Sequence, residues 1–182
     1  MKITLAGSPG SGKSTLRKLL AEHYGLSTKG TGDFMRELSC KYGYSDITQF
    51  LVEYVSEHPE VDHQVDEEQR IFGKENDNFV LDAHLGFHFV PDSIRICLIC
   101  DLEEAARRIL DDIERTTEDA TNISDSMAAS QKRRDTMQKN FMCLYKVDIN
   151  DHSNFDLVLD TTTLSSVEAF ELVSAFIDSR NI

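Results

Sequence analysis

The chain has few basic residues for its size: 19 Lys and Arg stand against 32 Asp and Glu in 182 residues, a net charge of −13. So negative a surface excludes non-specific binding to nucleic acid polymers and to anionic membranes. No uninterrupted apolar run approaches the ~20 residues of a membrane span. The opening MKITLAGSPG is too short and too glycine-rich for a secretory leader, so a cytoplasmic location is expected. Cysteine is sparse: Cys40, Cys97, Cys100 and Cys143 are scattered as in a reduced intracellular chain. Cys97 and Cys100 form C-x-x-C within the β-like run RICLIC, where residues three apart point to opposite faces. Buried strand thiols are expected there, not a redox pair or a zinc site. There is no Pro/Ser-rich linker and no internal repeat. What remains, 40% hydrophobic and 28% charged residues, is the composition of one soluble domain large enough to bury a core.

Residues 2–6 (KITLA) read as a short buried strand. A glycine-rich turn follows, then a helix from about Lys13 to Tyr24, with Leu16, Leu19 and Leu20 at helical spacing and Gly25 as its C-cap. A second helix starts in TGDF, after Lys29. A third begins at Ser45, with Ile47, Phe50, Leu51, Tyr54 and Val55 on one face. Pro59 fits the first turn of a fourth, which runs to about Lys74. FVLD (79–82) and IRICLIC (94–100) are further buried strands. A helix runs from about Leu102 to Arg115, residues 116–126 form a polar mobile loop, and QKRRDTMQKNF is a basic helical stretch. FDLVLD (155–160) is the last strand. The last helix, Ser165 to Ser179, puts Val167, Phe170, Val173, Phe176 and Ile177 on one face. Strands alternating with helices predict an α/β fold with a parallel sheet in a single domain spanning 1–182. Seven of the nine glycines precede residue 44, which places backbone-mediated binding in this first quarter.

Gly7-Ser8-Pro9-Gly10-Ser11-Gly12-Lys13-Ser14 fits G-x-x-x-x-G-K-[ST] without a mismatch, between a strand and a helix. A chance match is expected in roughly one chain of this size in a hundred or fewer. Glycines let successive N–H groups point inward and form a nest for an anion, and the helix N-terminus adds its dipole. Lys13 can reach the β- and γ-phosphates of a nucleotide, and Ser14 can ligate Mg²⁺. The partner acid belongs at the end of a neighbouring buried strand. Asp82, which ends FVLD, is the first choice, and Asp101, after ICLIC, its rival; a strand-terminal Asp is also a common helix cap. A second set is Gly32, Asp33 and Arg36. Asp33 and Arg36 share a face at a helix start, where the arginine can fork onto an acceptor's phosphate.

Together these motifs resemble the nucleoside monophosphate kinases, and most closely the short cytidylate kinases of archaea and some bacteria. KITLAGSPGSGKST, TGDFMREL, Asp62 with Asp66, and YKVDINDHSNFDLVLDT carry the resemblance. It covers nearly the whole chain and is most specific in the first forty and last thirty residues. It implies a P-loop core with a five-stranded parallel sheet, a helical acceptor-binding insert at about 31–76 and a lid at about 117–140. It implies Mg-ATP as donor, CMP or dCMP as acceptor, and ADP and the diphosphate as products; a monomer is expected. By position, Gly7 through Thr15 would hold ATP, Arg36 the acceptor phosphate, and Thr161–Thr163 would line the adenine pocket.

Two departures stand out. The family has an arginine two places after the strand-end acid, where this chain has His84, and a histidine there points to pH dependence near pH 6–7. Of two lid arginines, Arg133 matches the first, but the second falls on Asn140; Arg134, Lys132 and Lys139 can substitute. Charge stabilisation is therefore expected from Lys13, Arg36, Arg133 and Arg134. Another acceptor (AMP, UMP or a small metabolite), or nucleotide binding with weak turnover, stays open. Asp62, Asp66 and Gln69 share a helical face that either reads the acceptor base or is simply solvated. His84 and His88 make H-x-x-x-H, but Leu85 stands beside His84 where a zinc protease has Glu, so no zinc is expected.

Overall fold

The buried hydrophobic runs form the centre of a five-stranded, wholly parallel sheet. The structure, a computed structural model, describes residues 1–58, 60–112 and 122–180. Strand β1 (Lys2–Gly7) is central, and the order across the sheet is β2 (Ser27–Gly30), β3 (Phe79–Asp82), β1, β4 (Ile94–Ile99), β5 (Leu157–Asp160). In register, Leu5 of β1 lies opposite Asp82 of β3, and Gly7 opposite Leu98 of β4. Val80 faces one hydrophobic cluster while Phe79 and Leu81 face the other, the alternation of a strand covered on both sides.

Helices α1 (Lys13–Tyr24) and α8 (Ser166–Arg180) cover one face, where Leu16, Leu20, Val173 and Ile177 pack on Ile3, Leu5, Ile96 and Leu98. Helices α2 (Thr31–Lys41), α3 (Ile47–Phe50), α4 (Glu60–Glu75) and α5 (Gly86–Phe89) build the other cluster around Phe34, Phe50, Val61 and Phe79. Helices α6 (Leu102–Asp111) and α7 (Ile123–Tyr145) run between β4 and β5.

The structure departs from the sequence reading in several places. Strand β2 lies where residue patterning gave no strand; its four residues, STKG, carry no hydrophobic alternation, and pairing with β3 alone makes them extended. The third helix starts at Ile47 behind an Asp46 cap and widens into a π turn over Leu51–Val55. That widening breaks the 3.6-residue period, so Phe50 is fully buried while Leu51 is 41% exposed. Val167, expected on the buried face of α8, is exposed; Val173 and Ile177 are buried as expected, with Ala169 beside them. Helix α5 was not foreseen. The end of the expected 116–126 loop is helical from Ile123, with Asn122 accepting the Asp125 N–H at 2.9 Å. Pro59, the segment 113–115 and the rest of that loop lie outside the described residues.

Candidate active site

The loop between β1 and α1 is shaped by three glycines at positive φ: 136° at Gly7, 75° at Gly10 and 90° at Gly12. At Gly7 and Gly10 there is also no room for a side chain. A Cβ would stand 2.0 Å from the Leu98 carbonyl oxygen and 2.4 Å from that of Ala105. The loop is therefore pressed against β4 and α6. Ser11 closes it, its hydroxyl donating to Ser8 O at 2.8 Å, and Thr161 Oγ1 donates to Ser11 O at 3.0 Å. Helix α1 begins at Gly12 with no side-chain cap, which leaves its first-turn N–H groups for an anion. Ser14 and Thr15 are exposed in that turn. Lys13 folds over the loop, its ammonium donating to Gly7 O at 2.9 Å and Ser8 O at 2.7 Å; Pro9 is half-buried beside it.

On the β4–β5 side of this loop lies a cavity of about 660 Å³, lined by Gly10–Gly12, Ser14, Thr15, Arg107, Arg108 and the turn Thr161–Ser166. Arg108 holds the turn, its Nη2 donating to Thr161 O at 2.8 Å and Thr162 O at 3.1 Å. Glu104 receives hydrogen bonds from Arg107 and Arg108, which pull its carboxyl down to about 2. Residue patterning placed a helix here but singled out none of Glu104, Arg107 and Arg108; i, i+3 and i, i+4 charge pairs are common on any helix surface.

On the β2–β3 side stand Asp33 and Arg36. Asp33 accepts the Gly30 N–H at 2.7 Å and Arg36 Nη2 at 2.5 Å, and Arg17 Nη1 lies 3.5 Å away. Burial pushes the Asp33 carboxyl up, but Arg36, Gly30 and Arg17 outweigh it and the net shift is downward. Asp33 thus caps α2 and also orients two arginines. Gly32 is exposed beside the Arg36 guanidinium. Asp82 ends β3 at the same level as Gly30. Its rival Asp101 is engaged as the cap of α6, accepting the Glu103 N–H at 2.9 Å.

His84 follows β3 and lines a narrow crevice with Gly7, Ser8, Arg134 and Asn150. Burial, with Lys13 and Arg133 adding to it, pushes its imidazole down to about 3. The ring is therefore neutral at pH 6–7, which removes the titration expected there. Both α7 arginines come to this side: Arg133 is near enough to act on His84, and Arg134 donates to Ser8 Oγ at 3.2 Å and Asn150 Oδ1 at 2.6 Å. Asn140 is exposed.

The Asp62–Asp66–Gln69 face divides. Asp62 is exposed and Gln69 fully buried. Asp66 accepts the Tyr145 hydroxyl at 2.5 Å, and burial raises both groups above their ordinary values. Cys97 is a buried strand thiol as expected, pushed up to about 11 by burial, while Cys100 lies half-buried just beyond β4; all four cysteines are free. Among the described residues no group of three or more His, Cys, Asp or Glu could hold a metal ion, and no helix is long and apolar enough to cross a membrane.

A parallel sheet of this order with a glycine-rich nest after its central strand defines a P-loop protein. A family model described as an AAA domain matches residues 3–129. The cytidylate kinase of Pyrobaculum islandicum is 33% identical over 172 residues, covering 93% of this chain and 89% of its own. An S-adenosylmethionine-dependent nucleotide dehydratase of Lacinutrix mariniflava is 34% identical over 173 residues, 94% of this chain, of which the chain spans only 35%. The solved shikimate kinase of Aquifex aeolicus superposes with a TM-score of 0.66 at 16% identity, covering 100% of this chain and 99% of that one. The chain belongs to the AAA-domain family of P-loop proteins and to the family of the cytidylate kinases.

Proposed function

We propose that the chain transfers the γ-phosphoryl group of Mg-ATP to a nucleoside monophosphate, with CMP or dCMP as acceptor. The observation that carries this reading is the two-sided site. The P-loop stands between a cavity of about 660 Å³, large enough for a nucleoside, and the Asp33–Arg36 pair on its other side. The likeness to a cytidylate kinase over nearly the whole chain supports cytosine as the acceptor base. The match to part of a nucleotide dehydratase supports a nucleotide over a shikimate-like metabolite.

In this reading the loop N–H groups of Gly7–Thr15 cradle the donor phosphates, and the base lies in the cavity by Arg107 and Thr161–Thr163. Lys13 exchanges the Gly7 and Ser8 carbonyls for phosphate oxygens. Arg36 turns from Asp33 to the acceptor phosphate. That phosphate is already anionic, so no strong base is required, and catalysis rests on positioning and charge stabilisation by Lys13, Arg133 and Arg134. Ser14 and Asp82 fit Mg²⁺, which takes few protein ligands beside phosphates and water: Ser14 is exposed in the first turn of α1 and Asp82 half-buried at the end of β3. When bound, the ion neutralises charge on the transferred group. In this reading residues 31–76 are the acceptor-binding insert and 117–140 the lid, of which 117–121 lie outside the described residues; closure over the site would exclude water that hydrolyses ATP. Asp62 and Asp66 lie on the insert, where a base can be read.

The test is ADP release from Mg-ATP with CMP, dCMP, UMP, AMP or GMP, beside the Lys13→Ala variant. CMP or dCMP should stimulate release strongly, and the variant should lose it, a cost of several kcal/mol in the barrier. Stimulation by no acceptor, or undiminished turnover in Lys13→Ala, would sink the reading.

A further inference from the structure

Arg17 lies on α1 one turn beyond Lys13, so the two side chains leave the same face of the helix. Its guanidinium has five N–H donors. Among the described residues it makes one hydrogen bond, to Asp33 Oδ2 at 3.5 Å, the outer limit for such a bond. Its Nε is buried and has no partner, a costly condition for a polar group. Arg17 Nη1 passes close over Gly30, 2.6 Å from where a Cβ would stand.

Across Asp33 stands Arg36. Two arginines from two helices thus converge on one carboxylate, a local excess of positive charge in a chain of net charge −13. This group sits on the β2–β3 side of the P-loop, away from the nucleoside-sized cavity on the β4–β5 side. A phosphomonoester dianion has the charge and the number of acceptor oxygens that such a pair of forks can satisfy. A neutral hydroxyl acceptor has neither.

We propose that Arg17 and Arg36 together grip the phosphate of the acceptor, so that Arg17 makes the site specific for a phosphorylated acceptor over its unphosphorylated nucleoside. This rests on the kinase reading above. Asp33 holds the two guanidiniums in place before the acceptor arrives and keeps its hydrogen bond from Gly30 afterwards.

The experiment uses the full chain and titrates CMP, cytidine and ADP calorimetrically into wild type, Arg17→Gln and Arg17→Lys. It also measures the KM for CMP, kcat and the melting midpoint. Arg17→Gln should weaken CMP binding and raise its KM about ten- to hundredfold, with ADP affinity, cytidine affinity and melting midpoint unchanged. Arg17→Lys should recover part of the loss, since it restores charge but not the fork. Unchanged CMP affinity in Arg17→Gln overturns the proposal. So does a joint loss of CMP affinity, ADP affinity and melting midpoint, which would make Arg17 a structural tie between α1 and α2. If wild type binds and phosphorylates CMP and Arg17→Gln matches it, only the role of Arg17 fails. If wild type neither binds nor phosphorylates CMP, the cytidylate reading fails and takes this proposal with it.

Discussion

Replacing Asp156 by Asn should cost about 2 kcal/mol of stability at pH 7, and the loss should vanish in acid. The Asp156 carboxylate accepts the Arg95 backbone N–H at 2.8 Å, Arg95 Nε at 3.1 Å, Arg95 Nη2 at 3.0 Å and Arg180 Nη2 at 3.1 Å. Its side chain is only 12% exposed. The Arg95 hydrogen bonds outweigh burial and bring the carboxyl from 3.8 to about 2. That lowering corresponds to about 2 kcal/mol of native-state stabilisation. Asparagine keeps the shape but not the charge, so the melting midpoint of a chain this size should fall by about 4–8 °C. The carboxyl is more acidic folded than unfolded. Its contribution is therefore complete above the unfolded value of 3.8 and is lost as pH falls towards 2. Urea unfolding of wild type and Asp156→Asn across this range is the assay. A gap of about 2 kcal/mol should hold from pH 7 to about pH 4 and close progressively between about pH 4 and pH 2. A gap under about 0.5 kcal/mol at pH 7, or one that persists in acid, would show that solvent screens these contacts as in an exposed pair and would refute the reasoning.

Gly7→Ala should lose about 3 kcal/mol or more, because φ is 136° and the new Cβ would meet the Leu98 carbonyl oxygen at 2.0 Å; a wild-type unfolding midpoint would show that the β1–β4 register is wrong. His84 titrates at about 3 when folded against 6.5 ordinarily, so its contribution is complete above 6.5 and lost as pH falls towards 3. The melting midpoint of His84→Gln should therefore fall less than that of wild type between about pH 6.5 and pH 4, and parallel curves would contradict a neutral, half-buried ring.

The core of the fold was legible because its signals are local. A buried β1, the glycine spacing of the loop and the leucines of α1 each follow from a few adjacent residues. Strand β2 was not legible, since STKG becomes extended only by pairing with β3. The π turn hid for the opposite reason: Leu51 fits the helical period, and only the packed structure shows that the period slips. At the site, Lys13, Asp33 and Arg36 were readable because motif spacing fixes them. Arg17, Arg108 and Tyr145 act across elements 16 to 79 residues apart in sequence, and no pattern within one element announces such contacts. His84 was located by spacing, but its charge state depends on burial and on Lys13 and Arg133.

Among its contacts, helix α7 bears on two distant parts of the site. Arg134 rests on Ser8 of the loop, and Tyr145 rests on Asp66 of α4. Eleven residues separate the two, three helical turns, so both project from one side of a rod about 16 Å long. A rod seated on both ties the spacing of α4 to that of the P-loop. Its gauge is also fixed by residue count. One residue inserted between Arg134 and Tyr145 would swing the tyrosine about 100° off Asp66 while leaving the arginine seated.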